Sequence, residues 1–256
     1  MKRPNWLIFT FITCCSAWAL TLPAQTDKGK KPPVDYLFKK EASGGARITQ
    51  NGFTITGQFG WIKNIYSTTF IEGEYFYHHN YQFKKIKSPI ADGRDFYFGV
   101  QNRLHTLRFG AGYKRTLADK SEQKGVRLSL QASGGFSLAL LKPYYLSLYY
   151  PDGPDSIPIF RDERYTEANA ERFIDRRFIA EASPEYLGMN QMQLVPGAHG
   201  KLSLEFDFGK RDAFIATMET GVIFDVYYKR LPLVINDTNR MYMGSIFVGF
   251  RLGKRW

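Results

Sequence analysis

Four histidines, His78, His79, His105 and His199, are the side chains of this 256-residue chain best suited to proton transfer near neutral pH. An acyl-cleaving site would pair one of them with a serine nucleophile and a carboxylate that orients the imidazole. On an alternating pattern His78 shares a side with Ser129, Ser133 and Ser203, yet no His-x-Ser spacing occurs. His78-His79 fails as a metal pair, because neighbours on a strand point to opposite faces. Cys14 and Cys15 fall in an apolar N-terminal run, and neither a phosphate-cradling glycine loop nor a calcium loop is present. No catalytic, cofactor-binding or metal-ligating residue is assigned, and no cofactor is expected. These His and Ser residues read as the filling of a polar interior or of an interfacial belt.

The elements that would position them alternate with a period of two. From Lys201 to Lys229, Leu202, Leu204, Phe206 and Phe208 take turns with Lys201, Ser203, Glu205 and Asp207. After Gly209-Lys210-Arg211-Asp212, Phe214, Ala216, Met218, Val222, Phe224, Val226 and Tyr228 oppose Thr217, Glu219, Gly221 and Asp225. That is a hairpin whose two faces meet different surroundings. The same pattern predicts strands over Phe53–Trp61, Phe70–Tyr81, Phe96–Gln101, Leu104–Arg115 (the last two as a hairpin around Asn102-Arg103) and Val126–Tyr149. A last strand is predicted over Arg240–Gly253, making eight. The inner parity carries Glu72, Glu74, Glu205, Asp207, Glu219 and Asp225 against Arg108, Lys114, Arg127, Lys201 and Arg251. Charges facing lipid cost about 2–4 kcal/mol near the midplane, so all should point inward and pair across a narrow interior.

The ends support a membrane setting. Met1-Lys2-Arg3, an apolar Trp6–Leu20 and a small residue at Ala24 read as a signal peptide over residues 1–25. Acylation at Cys14 or Cys15 is the alternative, and would need an unusually short signal. The basic stretch "TDKGKKPPVDYLFKKEASGGAR" reads as a periplasmic tail over 26–48, with the barrel over 49–256. No stretch after the signal reaches the roughly 18–20 apolar residues of a membrane helix. A long connection over 151–198 follows the fifth strand and so falls outside the cell. Within it Asp162–Ser183 reads as partly helical, with Phe173, Ile174, Phe178 and Ile179 between charges.

The expected fold is therefore all-β: an eight-stranded antiparallel transmembrane β-barrel with one long extracellular loop. Stepping by twos from Trp256, the run Lys254, Leu252, Phe250, Val248, Ile246 resembles, apart from Lys254, the C-terminal strand of bacterial outer-membrane barrels. The segments "EASGGARI", "SGGFSLALLKPYYL" and "GKRW" resemble those of small outer-membrane β-barrel proteins of bacteroidete envelopes, over about Tyr36 to Trp256. That resemblance implies a location and a fold, not an activity. The formal net charge of +11 suits nucleic acid or anionic lipid, and export argues for lipid. The expected partners are outer-membrane lipids (lipopolysaccharide) and other outer-membrane or periplasmic proteins, with no nucleic acid. The leading functional reading is a non-enzymatic structural or interaction role as an accessory component of the envelope. The alternatives are a narrow pore for small solutes or ions and, last, a lipid-modifying enzyme.

Overall fold

The structure, a computed structural model, describes residues 38–79, 85–89, 93–119, 125–150, 159–209, 213–235 and 239–256. The expected signal peptide, residues 26–37 of the expected tail and Lys210-Arg211-Asp212 lie outside the described residues. Eight strands form the barrel wall: β1 (Lys40–Thr49), β2 (Gly52–Asn64), β3 (Ser67–His78), β6 (Asn102–Ala118), β7 (Arg127–Pro143), β11 (Gln193–Asp207), β12 (Phe214–Tyr227) and β13 (Tyr242–Arg255). Each pairs antiparallel with the next in that order, and β13 pairs with β1 to close the ring. Closure leaves no unpaired sheet edge, the condition for placing backbone in hydrocarbon.

Eight strands were expected and eight form the wall, but two members differ. The first wall strand occupies Lys40–Thr49, most of it inside the 26–48 segment read as a tail. Of its outward residues Ala42, Gly44, Ala46 and Ile48 only the last is bulky, too little to show an apolar row. Phe96–Gln101 is not a wall strand, and Asn102-Arg103 is not a turn. Asn102 opens β6, while only Phe96–Tyr97 (β5) is extended and pairs with Lys85–Ile86 (β4) away from the wall. The strand read as Val126–Tyr149 leaves the wall at Pro143, whose ring nitrogen has no proton to donate to a ladder. The connection read as 151–198 therefore runs from 144 to 192.

The wall strands sort their residues as the alternation predicts. Phe53, Ile55, Ile71, Phe109, Phe136, Leu202, Phe224, Ile246, Phe250 and Leu252 are exposed on the outside. Aromatic side chains gather at both ends of this apolar band. Phe59 lies 5.0 Å from Trp61 and 6.0 Å from Trp256 at the end that carries Lys40 and Trp256. Phe53 lies 5.4 Å from Tyr77, and Phe224 6.1 Å from Tyr242, at the opposite end. The outside thus has the apolar belt and aromatic girdles of a membrane-spanning barrel.

Connections divide by end. Ile65-Tyr66, 119–126 and 208–213 are short and share an end with Lys40 and Trp256. At the other end lie the tight Gln50-Asn51 turn and the connections 79–101, 144–192 and 228–241. The longest holds a three-stranded sheet of β8 (Tyr145–Tyr150), β9 (Ile159–Arg164) and β10 (Ile179–Ala182), and a short helix over Ala170–Ile174. Its core draws on all three long connections: Phe96 and Val100 from the first, Leu146, Leu148, Phe173 and Ile179 from the second, Ile235 from the third. The apolar stripe read within Asp162–Ser183 is thus half covered from within, with Phe173 and Ile179 buried and Ile174 exposed. These connections make one cap.

Closing a narrow ring brings β1 and β13 close enough that glycine is required on the inner face. A Cβ on Gly45 would overlap the Phe250 carbonyl oxygen, and one on Gly249 would lie 2.7 Å from the Ala46 carbonyl oxygen and collide with the Arg47 stem. Gly57 on the outside has open space around it. Gly249→Val is expected to abolish the folded, heat-modifiable band of an unboiled gel sample, whereas Gly57→Ala leaves it unchanged.

Candidate functional site

Inside the wall the charged side chains form one connected lattice. Seven acids (Glu41, Glu72, Glu74, Glu205, Asp207, Glu219, Asp225) and six bases (Arg47, Arg108, Lys114, Lys201, Arg251, Arg255) are buried there. Starting near the termini, Arg255 bonds Asp207 at 2.8 Å and Glu41 at 3.3 Å. Glu41 also takes Lys114, which reaches Glu205 at 3.5 Å. Arg251 joins Glu205 to Glu219, 3.4 Å from the latter. Glu219 accepts from Arg47 at 2.9 and 3.1 Å and from Ser203 at 2.7 Å. Arg47 and Lys201 both reach Glu74, and Lys201 also holds Glu72. Arg108 ends the run with a two-pronged grip on Asp225, 2.9 and 2.7 Å, and a longer contact to Glu74 at 3.4 Å.

The rings of Phe76 and Phe247 face the Arg108 and Arg47 guanidinium groups at 4.8 and 5.0 Å, packing apolar surface around the charges. Every interior charge expected from parity is in the lattice except Arg127. It stands at the rim and pairs with Asp119 at 2.7 Å. Glu41, Arg47 and Arg255 were missed. The first two lie on the strand mistaken for a tail, and Arg255 lies past the expected end of the last strand.

The histidines and serines divide in the same geometry. Ser133 bonds Glu72, Ser203 bonds Glu219, and Ser129 lies 3.5 Å from the Thr116 hydroxyl. His105 faces outward, its Nδ1 2.7 Å from the Tyr75 hydroxyl. The Ser–His contact inside the wall is Ser137 Oγ to His199 Nδ1 at 3.3 Å, with Ser137 donating to Asp225 at 2.8 Å. This orders the three groups wrongly for a nucleophile relay. The carboxylate holds the serine rather than the imidazole, Asp225 is already gripped by Arg108, and all three are buried. Among the described residues no cluster of His, Cys, Asp and Glu is built to hold a metal ion.

Above Asp225 the interior turns apolar. Leu104, Ala139, Leu141, Val195, Tyr227 and Leu231 are buried together, and the Tyr227 hydroxyl reaches Thr106 at 3.3 Å. The cap adjoins this layer on the β6–β7 side, where Glu185 accepts from Arg103 at 2.7 Å and its backbone oxygen takes Lys142. The Arg103 bond holds the Glu185 carboxyl below the ordinary carboxylate range. Glu185 is 80% exposed, so this latch is worth no more than about 1 kcal/mol. Beside it a cavity of about 470 Å³ opens between the Gln50-Asn51 turn, the end of β3, the start of β6, and residues 231–234 and 239–244.

Breaking a buried pair strands its partner in low dielectric, at a cost of about 3–5 kcal/mol, whereas a rim pair contributes about 0–1. Glu219→Ala is therefore expected to lower unfolding free energy in urea by about 3–5 kcal/mol, and Arg127→Ala by less than about 1, read from tryptophan fluorescence of the refolded barrel.

No protein-family model matches the chain, and no curated protein matches it. Among solved structures it is similar to the N-terminal β-barrel domain of Pseudomonas aeruginosa OprF, at 9% identity and a TM-score of 0.36, covering 85% of this chain and 96% of that one. It is also similar to Neisserial surface protein A, at 10% identity and 0.36, covering 83% and 93%. A third is Ail, the attachment invasion locus protein of Yersinia pestis, at 7% identity and 0.40, covering 86% and 99%. The fold itself is read from the chain's own geometry: a closed meander of eight antiparallel strands, apolar outside and charged within.

Proposed function

We propose that this chain is an integral outer-membrane barrel with a structural or interaction role, an accessory component of the envelope whose working surface is the capped end. In this reading residues 1–25 direct export, Lys40 and Trp256 face the periplasm, and the cap stands outside the cell. The barrel is surrounded by outer-membrane lipid, including lipopolysaccharide, and meets other envelope proteins through its loops. The resemblance to bacteroidete barrels belongs to the same proposal.

The observation that carries it is the sorting of charge. A soluble sandwich would bury its Phe, Leu and Ile and wet its carboxylates. Here Phe109, Phe136, Phe250 and Leu252 are exposed while Glu219 is fully buried. Such an outside is stable only against hydrocarbon. A pore is the weaker reading, because the lattice from Arg255 to Asp225 and the apolar layer above it fill the cross-section with paired or packed side chains. An enzyme is weaker still, since the Ser137–His199–Asp225 contact lacks the order and access a relay needs.

In cell fractionation the protein is expected in the outer membrane, with a folded band that shifts on boiling. Recovery from the soluble periplasm would overturn the reading. In planar bilayers the purified barrel is expected to show no unitary conductance steps, and reproducible steps would restore the pore.

The cap should loosen without the wall. Phe173→Ala removes a ring from its core at a cost of about 3–5 kcal/mol. Trypsin is then expected to cut the connection at Arg176 or Arg177 faster than in the parent chain, with the heat-shifted band retained. A lost band would make the cap part of barrel folding.

A further inference from the structure

The 470 Å³ cavity at the loop end has a chemistry that the sealed interior and the cap do not use. It lies in the range typical of ligand pockets, about 300–1,000 Å³. Its floor is apolar, formed by Leu104, Leu231, Leu233 and Met243 over the top of the barrel interior. Three phenol rings stand around it, from Tyr77, Tyr97 and Tyr242.

Its walls carry amides fixed at one end. Asn51 donates to Ser245 at 3.3 Å, Asn102 donates to the Pro232 carbonyl at 2.6 Å, and Asn239 accepts from the Leu233 backbone at 3.3 Å. The other end of each amide bonds no described residue, which leaves two acceptors and one NH2 donor on the cavity wall. Preoriented amides beside aromatic rings and an apolar floor match the hydroxyls and C–H faces of a sugar ring.

The charges are one-sided. Arg103 and Arg240 line the cavity beside the imidazoles of His78 and His79, and no carboxylate does so among the described residues. Arg103 is engaged by Glu185, whereas the exposed Arg240 guanidinium bonds no described residue. His78 Nδ1, on the same wall, is a buried polar atom with no hydrogen-bond partner among the described residues. A buried polar atom of this kind calls for a partner, and a bound ligand would supply one.

We infer that this cavity is a binding site for an anionic saccharide of about one or two rings. The tethered amides and phenols take its hydroxyls, and Arg240 takes its negative charge. Tyr77 and Arg103 belong to the outward row of β3 and β6, while His78 and Leu104 belong to the inward row, so the cavity straddles the rim. A sugar there is within reach either as a soluble molecule or as the head group of a lipid beside the barrel. The inference builds on the outward placement of the loop end, but the site is present in the purified barrel whichever way it faces.

The test is calorimetric titration of the full chain folded in detergent with a phosphorylated glucosamine disaccharide, the same disaccharide without phosphate, and inorganic phosphate. The phosphorylated sugar is expected to bind, each of the other two at least about tenfold more weakly, a gap of about 1.4 kcal/mol. Arg240→Gln, at an exposed position, is expected to weaken the phosphorylated sugar about tenfold with the heat-shifted band intact. Asn51→Ala should weaken the sugar and leave the weak phosphate binding unchanged. Equal affinity for inorganic phosphate or for the neutral sugar would overturn the inference, as would no binding at all.

The source is separated by adding lipopolysaccharide nanodiscs containing the barrel. Loss of disaccharide binding there identifies a lipid head group, and retained binding identifies a soluble sugar. Failure of the titration would leave the fractionation result untouched, so the two readings fall separately.

Discussion

The sealed wall and the charged interior both follow from the closure of β1 on β13. A strand edge in hydrocarbon leaves a row of unsatisfied N–H and C=O groups, each costing several kcal/mol. The seam removes that cost along Glu41–Thr49 and Phe247–Arg255, and Lys40 and Trp256 exchange backbone bonds of 2.9 and 3.0 Å at its end. The same seam delivers Glu41 and Arg47 from one strand and Arg251 and Arg255 from the other to the interior. Glycines at 45 and 249 make room for the two long arginine stems opposite them. Without β1, Glu74 and Glu219 would each lose the guanidinium they share.

The lattice follows from that narrowness. In a ring of eight strands the interior has room for side chains only, so a charge placed there meets a charge from the far wall. Arg47 and Glu219 are 172 residues apart and bond at 2.9 Å. Removing ions from water is costly, and a lattice in which each carboxylate has one or more cationic partners is the form in which that cost is offset. Conformational specificity comes with it, since a one-residue slip of any strand would turn its charges to the lipid. The apolar layer of Leu104, Leu141 and Val195 then separates the lattice from the loop end.

The loop end is where the molecule departs from the minimum a barrel needs. Short turns would join the strands, yet three connections combine into a cap with its own core. Together Phe96, Leu146, Phe173, Ile179 and Ile235 cover one another. The cap sits over the β6–β7 side, and the uncovered side of the mouth is the cavity lined by Asn51, His78 and Arg240.

Legible in the sequence were the parity of most wall strands, the closed all-β class and the inward direction of Glu72, Glu74, Arg108, Lys114, Lys201, Glu205, Asp207, Glu219, Asp225 and Arg251, whereas the count of eight came out right because Phe96–Gln101 stood in for the missed β1. A period of two is a local property, carried by each strand without reference to its neighbours. Local pattern failed where side chains were small or borrowed. β1 presents Ala42, Gly44 and Ala46 to the outside because its neighbours supply the bulk, and so it read as a linker. Phe96–Gln101 has a strand's composition because its apolar residues fill the cap. Tyr145–Tyr150 continues the alternation of β7 although the chain has left the wall at Pro143. Which charge meets which, the place of Ser137 between His199 and Asp225, and the enclosure of one cavity by four segments far apart in the chain were settled only on folding. Those are facts about distance across a closed ring, and the ring exists only once its first and last strands have met.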